Sequence, residues 1–298
     1  MEATGYLAAE GFEAELEHEL FQISERYGRL LISPGPARKV AWAQNIWHRP
    51  MLLDVGSITD AARQLRKVQR NWALYDFHLH RRAQLIQQAL PHVSAKPIVF
   101  PSALPKAPLG SWTLIDTTHI LASAQCSSPF RNGEVEFVED RIGPPSRAYL
   151  KLWEILTLLG ERPAAGDRCL DLGASPGGWS WVLARLGCQV VSVDKAPLDP
   201  RVFELPGVEY RAGSAFALEP SAVGPVDWLF CDVVCYPKRL LVLVQRWLAS
   251  GLARRMICTI KFQGETDHDT EAAFAAIPGS ELRHLHHNKH ELAWIRFS

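Results

Sequence analysis

Three observations along this 298-residue chain predict an α/β fold with a largely parallel sheet in its second half. The first is the stretch Cys169–Asp194, CLDLGASPGGWSWVLARLGCQVVSVD, which reads apolar strand, glycine turn, helically spaced segment and β-branched strand, a nucleotide-type βαβ unit. The second is the continuation of that alternation, with apolar runs at Asp227–Cys231 and Met256–Ile260 separated by helical patterns at Pro237–Ala249 and Asp269–Ile277. The third is the change of character upstream of residue 141, where strands and helices are shorter and mixed, as expected of a smaller α+β region. With 47% apolar and 21% charged residues the chain can build a substantial core, so disorder has no compositional support.

Taken from the N-terminus, Tyr6–Ala9 reads as a strand. A helix is expected over Gly11–Tyr27, because Phe12, Leu16, Leu20 and Ile23 fall on one face with glutamates between them. Strands follow at Leu30–Ile32 and Val40–Ile46, then a helix from Ile58 and another over His80–Leu90. In the first of these helices Arg63, Arg66, Lys67 and Arg70 sit at i, i+3, i+4 and i+7 and share a face. Such a cluster is either a solvated surface or a phosphate-binding one. Net charge is zero, but 13 lysines and arginines lie between Arg26 and Lys106 against only Asp54, Asp60 and Asp76, which favours a polyanion-facing surface. Prolines at 91, 97, 101, 105 and 108 interrupt regular structure and mark a semi-rigid linker or a wrapped loop. Trp112–Ile115 and His119–Ala122 are strand candidates. Leu240–Leu252, the longest apolar run, is broken by Gln245 and Arg246, and no membrane span is expected. The glutamate-rich start argues against a leader peptide. Six cysteines without a CxxC pair read as reduced, buried thiols of a cytosolic protein.

The second half carries the chemistry. A dinucleotide would want GxGxxG; the loop here is Asp171-Leu172-Gly173-Ala174-Ser175-Pro176-Gly177-Gly178, followed by Trp179. Asp171 would repel a diphosphate but suits the amino group of a methionine moiety. Asp194, about twenty positions past the loop, suits a ribose diol. S-adenosylmethionine (SAM) is therefore the expected cofactor, with a ligand-free glycine turn as the alternative. A helix at Arg147–Leu159 enters the sheet, and Leu282–Leu285 with Leu292–Phe297 should form a terminal hairpin. Ligands of open α/β sheets sit at the carboxyl ends of the strands, where the pattern presents Asp232, Lys261 and Glu291, with Lys151 on the preceding helix. Two ammonium groups alternating with two carboxylates could grip a sugar hydroxyl. One lysine, its pKa lowered by burial and by the second cation, could accept or steer the proton. His284, His286, His287 and His290 cluster without a cysteine or acid spaced to complete a metal site, so no metal is expected.

Lys151, Asp232, Lys261 and Glu291, together with the DLGASPGGW loop, resemble the K-D-K-E tetrad and SAM motif of the FtsJ-like 2'-O-ribose RNA methyltransferases. Gly11-Phe12-Glu13, Ser128-Pro129-Phe130, Pro145-Ser146-Arg147, Leu150-Lys151-Leu152 and Val226-Asp227-Trp228 are similar to the bacterial large-subunit rRNA methyltransferase M family. The resemblance covers the C-terminal half continuously and the N-terminal half in patches. It implies a Rossmann-like seven-stranded sheet over 141–298, preceded at 1–140 by an RNA-binding region with ferredoxin-like and reduced THUMP-like modules. It implies methyl transfer from SAM to the 2'-hydroxyl of a cytidine in 23S rRNA. The expected SAM contacts are Asp171, Gly173, Ser175, Pro176, Gly177, Gly178, Trp179, Asp194, Ser214 and Asp232. The expected catalytic set is Lys151, Asp232, Lys261 and Glu291, and Arg63, Arg66, Lys67 and Arg70 are the expected RNA contacts. Two departures stand out: Gly213-Ser214-Ala215-Phe216 occupies the position of the family's acid near the adenine, and Glu265, Asp267 and Asp269 replace basic residues after Lys261. The competing readings are a methyltransferase of another RNA, a small molecule or a protein, and an inactive SAM-sensing RNA-binding module.

Overall fold

In the computed structural model, which describes residues 2–297, the chain divides into two compact units. The first comprises residues 1–99 and 103–136, and the second 100–102 and 137–298.

The first unit runs β1 (Ala3–Ala8), α1 (Glu13–Leu20), β2 (Glu25–Tyr27), β3 (Leu30–Pro34), β4 (Ala43–His48), β5 (Met51–Asp54), α2 (Ile58–Val68), β6 (Trp72–Leu74), α3 (His80–Gln88), β7 (Gly110–Leu114), β8 (His119–Ser123) and β9 (Gln125–Cys126). These strands form two sheets, ordered β2-β3-β1-β4-β9 and β5-β8-β7-β6. Leu65 of α2 and Ile86 of α3 pack with Trp72 and Trp112 of the second sheet. Both indoles are fully paired: Trp72 Nε1 donates to the Leu65 carbonyl at 3.0 Å and Trp112 Nε1 to Gln87 Oε1 at 2.9 Å. A buried tryptophan needs such a partner.

Here the structure corrects two sequence expectations. The first helix stops at Leu20, not Tyr27: Phe21 turns to φ +60°, and Glu25–Tyr27 leaves the helix to pair antiparallel with β3. Helical periodicity loses to a hairpin whose turn is set by Gly28 at φ +59°, a conformation that glycine adopts without strain. The second helix ends at Val68, so Arg70 lies beyond its cap at Gln69 and does not extend the face formed by Arg63, Arg66 and Lys67. The proline-rich stretch 91–109 contains no helix and no extended strand; Ile98 N donates to the Glu136 carbonyl at 2.9 Å, and Gly110 N to the Asn71 carbonyl at 3.1 Å.

The second unit runs α4 (Tyr149–Leu159), β10 (Arg168–Leu172), α5 (Gly178–Arg185), β11 (Gln189–Asp194), α6 (Pro200–Phe203), β12 (Val208–Ala212), α7 (Pro220–Val223), β13 (Val226–Cys231), α8 (Pro237–Ser250), β14 (Ala253–Lys261), α9 (His268–Ala275), β15 (Ser280–Arg283) and β16 (Glu291–Phe297). One seven-stranded sheet orders them β12-β11-β10-β13-β14-β16-β15. The pairs from β12 through β14 are parallel, and β16 runs antiparallel to both β14 and β15. The Rossmann-like sheet expected from the βαβ alternation is present. Its central strands β10, β13 and β14 are buried on both faces along most of their length, as parallel sheets require, and Trp228, Trp247, Trp294, Phe230 and Phe274 are fully buried around them. Successive strands step outward from β10 in both directions, so the order reverses between β10 and β13. Such a reversal opens a crevice at the strands' carboxyl ends.

Among the described residues no helix is long and apolar enough to cross a membrane. The six cysteines are free thiols, five of them buried. Because a side chain at Gly28 would sit 2.7 Å from the Tyr75 hydroxyl and require a left-handed backbone, Gly28→Ala is expected to lower the unfolding free energy by about 1–2 kcal/mol, read by urea denaturation.

Candidate active site

Four charged side chains that are distant in sequence meet at the carboxyl edge of the sheet. Lys151 comes from α4, Asp232 follows the last residue of β13, Lys261 ends β14 and Glu291 begins β16. In the antiparallel β14–β16 pair, Lys261 and Glu291 are direct Cα partners, so register alone brings them face to face. Lys151 Nζ stands 2.9 Å from Asp232 Oδ1 and 3.1 Å from Glu291 Oε1, while Lys261 Nζ stands 2.5 Å from Asp232 Oδ1 and 2.9 Å from Glu291 Oε2. Cations and anions therefore alternate around a closed ring. The side chains are only 9–15% exposed.

A fifth member, Thr259, was not anticipated. It lies two residues before Lys261 and therefore projects from the same face of β14, and its hydroxyl donates to Asp232 Oδ1 at 2.5 Å.

The electrostatics reverse one expectation. Burial alone would push the Lys261 ammonium down, but the Asp232 and Glu291 carboxylates outweigh burial and hold it above its usual range. Burial alone would likewise push the Asp232 carboxyl up, and Lys151 and Lys261 overcome it and hold Asp232 below the usual carboxylate range. Lys261 is thus not a lysine of lowered pKa, ready to take a proton. The reason is contact distance: each ammonium touches two carboxylates, whereas the second cation lies across the ring.

Next to this ring is a cleft of about 190 Å³ at the reversal between β10 and β13. Of the expected cofactor contacts, Gly173, Asp194 and Ser214 line it. At Gly173 (φ +76°) an added Cβ would lie 2.7 Å from the Val233 backbone, so only glycine lets the loop and the β13 end approach this closely. Gly177 caps α5 at φ +116°, with Gly178 its first residue. Asp194 accepts the Ser175 amide at 3.0 Å and the Ala196 amide at 2.9 Å, which fixes its carboxylate beside the loop. Ser175 also donates through its hydroxyl to the Pro197 carbonyl at 2.8 Å, and Pro176 is exposed. Opposite, the Arg239 guanidinium lies 3.9 Å from the Phe216 ring centre. This pair, unforeseen in the sequence, gives the cleft a cation-backed aromatic wall.

Two expected contacts point elsewhere. The Trp179 indole is buried, its N–H donating to the Ala148 carbonyl at 2.9 Å, so its ring belongs to the core. Asp171 is 1% exposed and accepts from Ser180 Oγ at 2.6 Å through Oδ2, while Oδ1 is buried without a partner. Burial pushes its carboxyl from 3.8 up to about 7. Arg63, Arg66, Lys67 and Arg70 are all exposed in the first unit, and Arg63 pairs with Asp60. Among the described residues no cluster of histidine, cysteine and acidic side chains is arranged to hold a metal.

Residues 144–254 match the FtsJ-like methyltransferase family. Lys151 and Asp232 fall within the FtsJ-like segment, and Lys261 and Glu291 lie beyond it. The ribosomal RNA large subunit methyltransferase M of Halorhodospira halophila is 43% identical over 120 residues, covering 39% of this chain and 35% of that protein. Its counterpart in Aromatoleum aromaticum is 36% identical over 163 residues, covering 49% of this chain and 44% of that protein. The counterpart in an Azoarcus species is 42% identical over 123 residues, covering 39% and 33%. The matches thus span less than half the length of these curated relatives.

Removing one member of the ring leaves buried charge uncompensated. Asp232→Ala is expected to lower unfolding free energy by about 3–5 kcal/mol, measured in urea. Asp171 gives a pH signature of the opposite sense. Its raised folded pKa means that its stabilising contribution is complete below about pH 3.8 and is lost as pH rises through about 7. Asp171→Asn should remove that decline, so the stability difference between variant and parent should rise from pH 4 to pH 7.5; a flat difference would count against a buried, protonated Asp171.

Proposed function

We propose that this chain is a SAM-dependent RNA methyltransferase that modifies a ribose 2'-hydroxyl, and that its target is a cytidine of 23S rRNA. The observation that carries the reading is the closed ring of Lys151, Asp232, Lys261 and Glu291, which abuts the glycine-loop cleft through the end of β13. The FtsJ-like match and the names of the relatives support the same reading.

The cleft fits SAM by the chemistry of its donors. Asp194 offers carboxylate oxygens for ribose hydroxyls, Phe216 offers a ring face for the adenine with Ser214 at its edge, and Gly173 admits close backbone approach. Ser175, Pro176, Gly177, Gly178 and the backbone at Trp179 complete the loop around it, Asp232 stands next to its Val233 wall, and Asp171 supports the loop from below through Ser180. Bound SAM supplies an electrophilic methyl on a sulfonium.

The ring's part is to hold the nucleophile. A ribose hydroxyl can accept a hydrogen bond from an ammonium of Lys151 or Lys261 and donate its own to Asp232 or Glu291. Lys261 acts as a fixed donor, since carboxylate contact keeps it charged. As the oxygen forms its new bond its proton becomes strongly acidic, and a ring carboxylate is placed to receive it. Orientation of this kind supplies most of what a methyl displacement needs. Residues 1–140 are proposed as the RNA-binding region, the first sheet as its ferredoxin-like part and the second with α2 and α3 as a reduced THUMP-like part. Its excess of basic residues between Arg26 and Lys106, including exposed Arg63, Arg66, Lys67 and Arg70, supports phosphate contact. Action in the cytoplasm, on rRNA before or during ribosome assembly, follows from that substrate.

Lys261→Ala is expected to slow methyl transfer to RNA by a hundredfold or more, on the order of what a positioned polar group contributes, while SAM affinity measured by calorimetry stays near the parental value. Mapping ribose methylation across the rRNA of cells with and without the gene should reveal one lost cytidine mark. An unchanged map would refute the rRNA assignment.

A further inference from the structure

Three residues beyond Lys151 on α4, and so on the same side of the helix, lies Glu154. It is 1% exposed. Its carboxylate forms a clamp on the loop that precedes β16: Oε1 accepts the His286 amide at 2.8 Å, and Oε2 accepts the His287 amide at 3.0 Å and faces His287 Nδ1 at 2.7 Å. Since an ionised carboxylate only accepts, Nδ1 carries the hydrogen. From the clamped loop a short set of bonds reaches the ring. Asn288 N donates to the Leu285 carbonyl at 3.1 Å, His284 Nε2 lies 3.0 Å from the Lys289 carbonyl, Glu291 N donates to that same carbonyl at 2.8 Å, and Asn288 Nδ2 donates to the Glu291 carbonyl at 3.0 Å. Glu291 is the first residue of β16, opposite Lys261, and upstream of it only the Phe262 amide, donating to the His290 carbonyl at 3.0 Å, continues the pairing with β14. One helix therefore carries both a lysine of the ring and the anchor of the loop that delivers that lysine's partner.

We infer that Glu154 is a positioning residue of the active site: through His286 and His287 it fixes Glu291, and through Glu291 it holds Lys151 and Lys261 in their geometry. The histidine cluster is, on this reading, the strap of that device. The role in catalysis rests on the methyltransferase reading, but the positioning itself does not.

Glu154→Gln is nearly isosteric and decisive, because both carboxylate oxygens face donors, so one end of the amide must present its NH2 to another N–H. The first readout needs no substrate: NMR titration of 13Cε-labelled lysines in the full chain. A loosened Glu291 should let the Lys261 resonance titrate at lower pH than in the parent, since Glu291 is one of the two carboxylates that hold it up. An unmoved titration would overturn the inference. His287→Ala, which removes one donor and leaves both amide bonds, should give a smaller shift in the same direction, and it decides the matter by the same criterion if Glu154→Gln does not fold. The second readout is kinetic. Glu154→Gln should slow kcat for methyl transfer on the order of tenfold to a hundredfold, as for a misplacement of about an ångström, with KM for SAM changed less than about threefold. In a Glu291→Gln background the same substitution should add little, since one variant already removes what the other acts through. Costs that multiply in the double variant would overturn the inference. If the unaltered chain methylates no RNA, the reaction reading fails, and the lysine titration still judges the clamp.

Discussion

The structure turns on a small closed circuit of charge. An isolated ammonium or carboxylate at 9–15% exposure would be expelled or neutralised, whereas Lys151, Asp232, Lys261 and Glu291 each touch two partners of opposite charge at 2.5–3.1 Å. That demand reaches back into the fold. Only a sheet in which β13 and β14 run parallel while β16 returns antiparallel brings Asp232, Lys261 and Glu291 to one edge. The helix ahead of the sheet must then deliver Lys151 to the same point. Ring and topology therefore constrain one another, and stability and chemistry draw on the same contacts.

The same edge explains the cleft. Strand order reverses between β10 and β13, where Asp232 N still donates to the Leu172 carbonyl at 3.2 Å and Gly173 N to the Val193 carbonyl at 2.9 Å. Gly173 meets Val233 so closely that no side chain fits, which keeps the cofactor-type cleft and the charge ring on opposite flanks of one short segment. The Arg239–Phe216 stack closes the cleft's far wall, and it does so from α8, the helix that follows Asp232 directly.

How much of this was legible beforehand follows from where the determining contacts lie along the chain. The βαβ unit, the parallel strands and the tetrad could be read because each strand is a compact apolar run whose end is marked by a charge or a glycine. Lys261 and Glu291 could be placed at strand ends without knowing that register makes them partners. The short strands of the first unit could not: Glu25–Tyr27, Met51–Asp54 and Trp72–Leu74 are three or four residues long, too few for alternation to emerge, and the apolar spacing of Phe12 to Ile23 ran on past a turn that only the pairing with β3 imposes. Thr259 was hidden because a threonine in a strand reads as ordinary β-branched packing. Glu154 was hidden because its partners lie 132 and 133 residues away, so neither the acid nor the histidines carry a local sign of the other. The lowered lysine pKa failed for a related reason: composition announces two cations in one site, but only coordinates reveal that each is nearer to two anions.

The last point bears on how such a ring can work. A neutral amine in the ring would leave the carboxylates with excess negative charge in a buried place, and the ring would cease to balance. Keeping Lys261 charged makes the ring an electrically neutral clamp that meets a neutral hydroxyl with a donor on one side and an acceptor on the other, without having to change its own ionisation to bind. Asp171, one strand away at β10, is pushed up to about 7 by burial with Ser180 as its hydrogen-bond partner, so it can stay neutral beside that circuit without upsetting its balance. Burial and pairing thus set two neighbouring carboxyls apart: Asp171 rises for want of a counter-charge, and Asp232 falls between two ammonium groups.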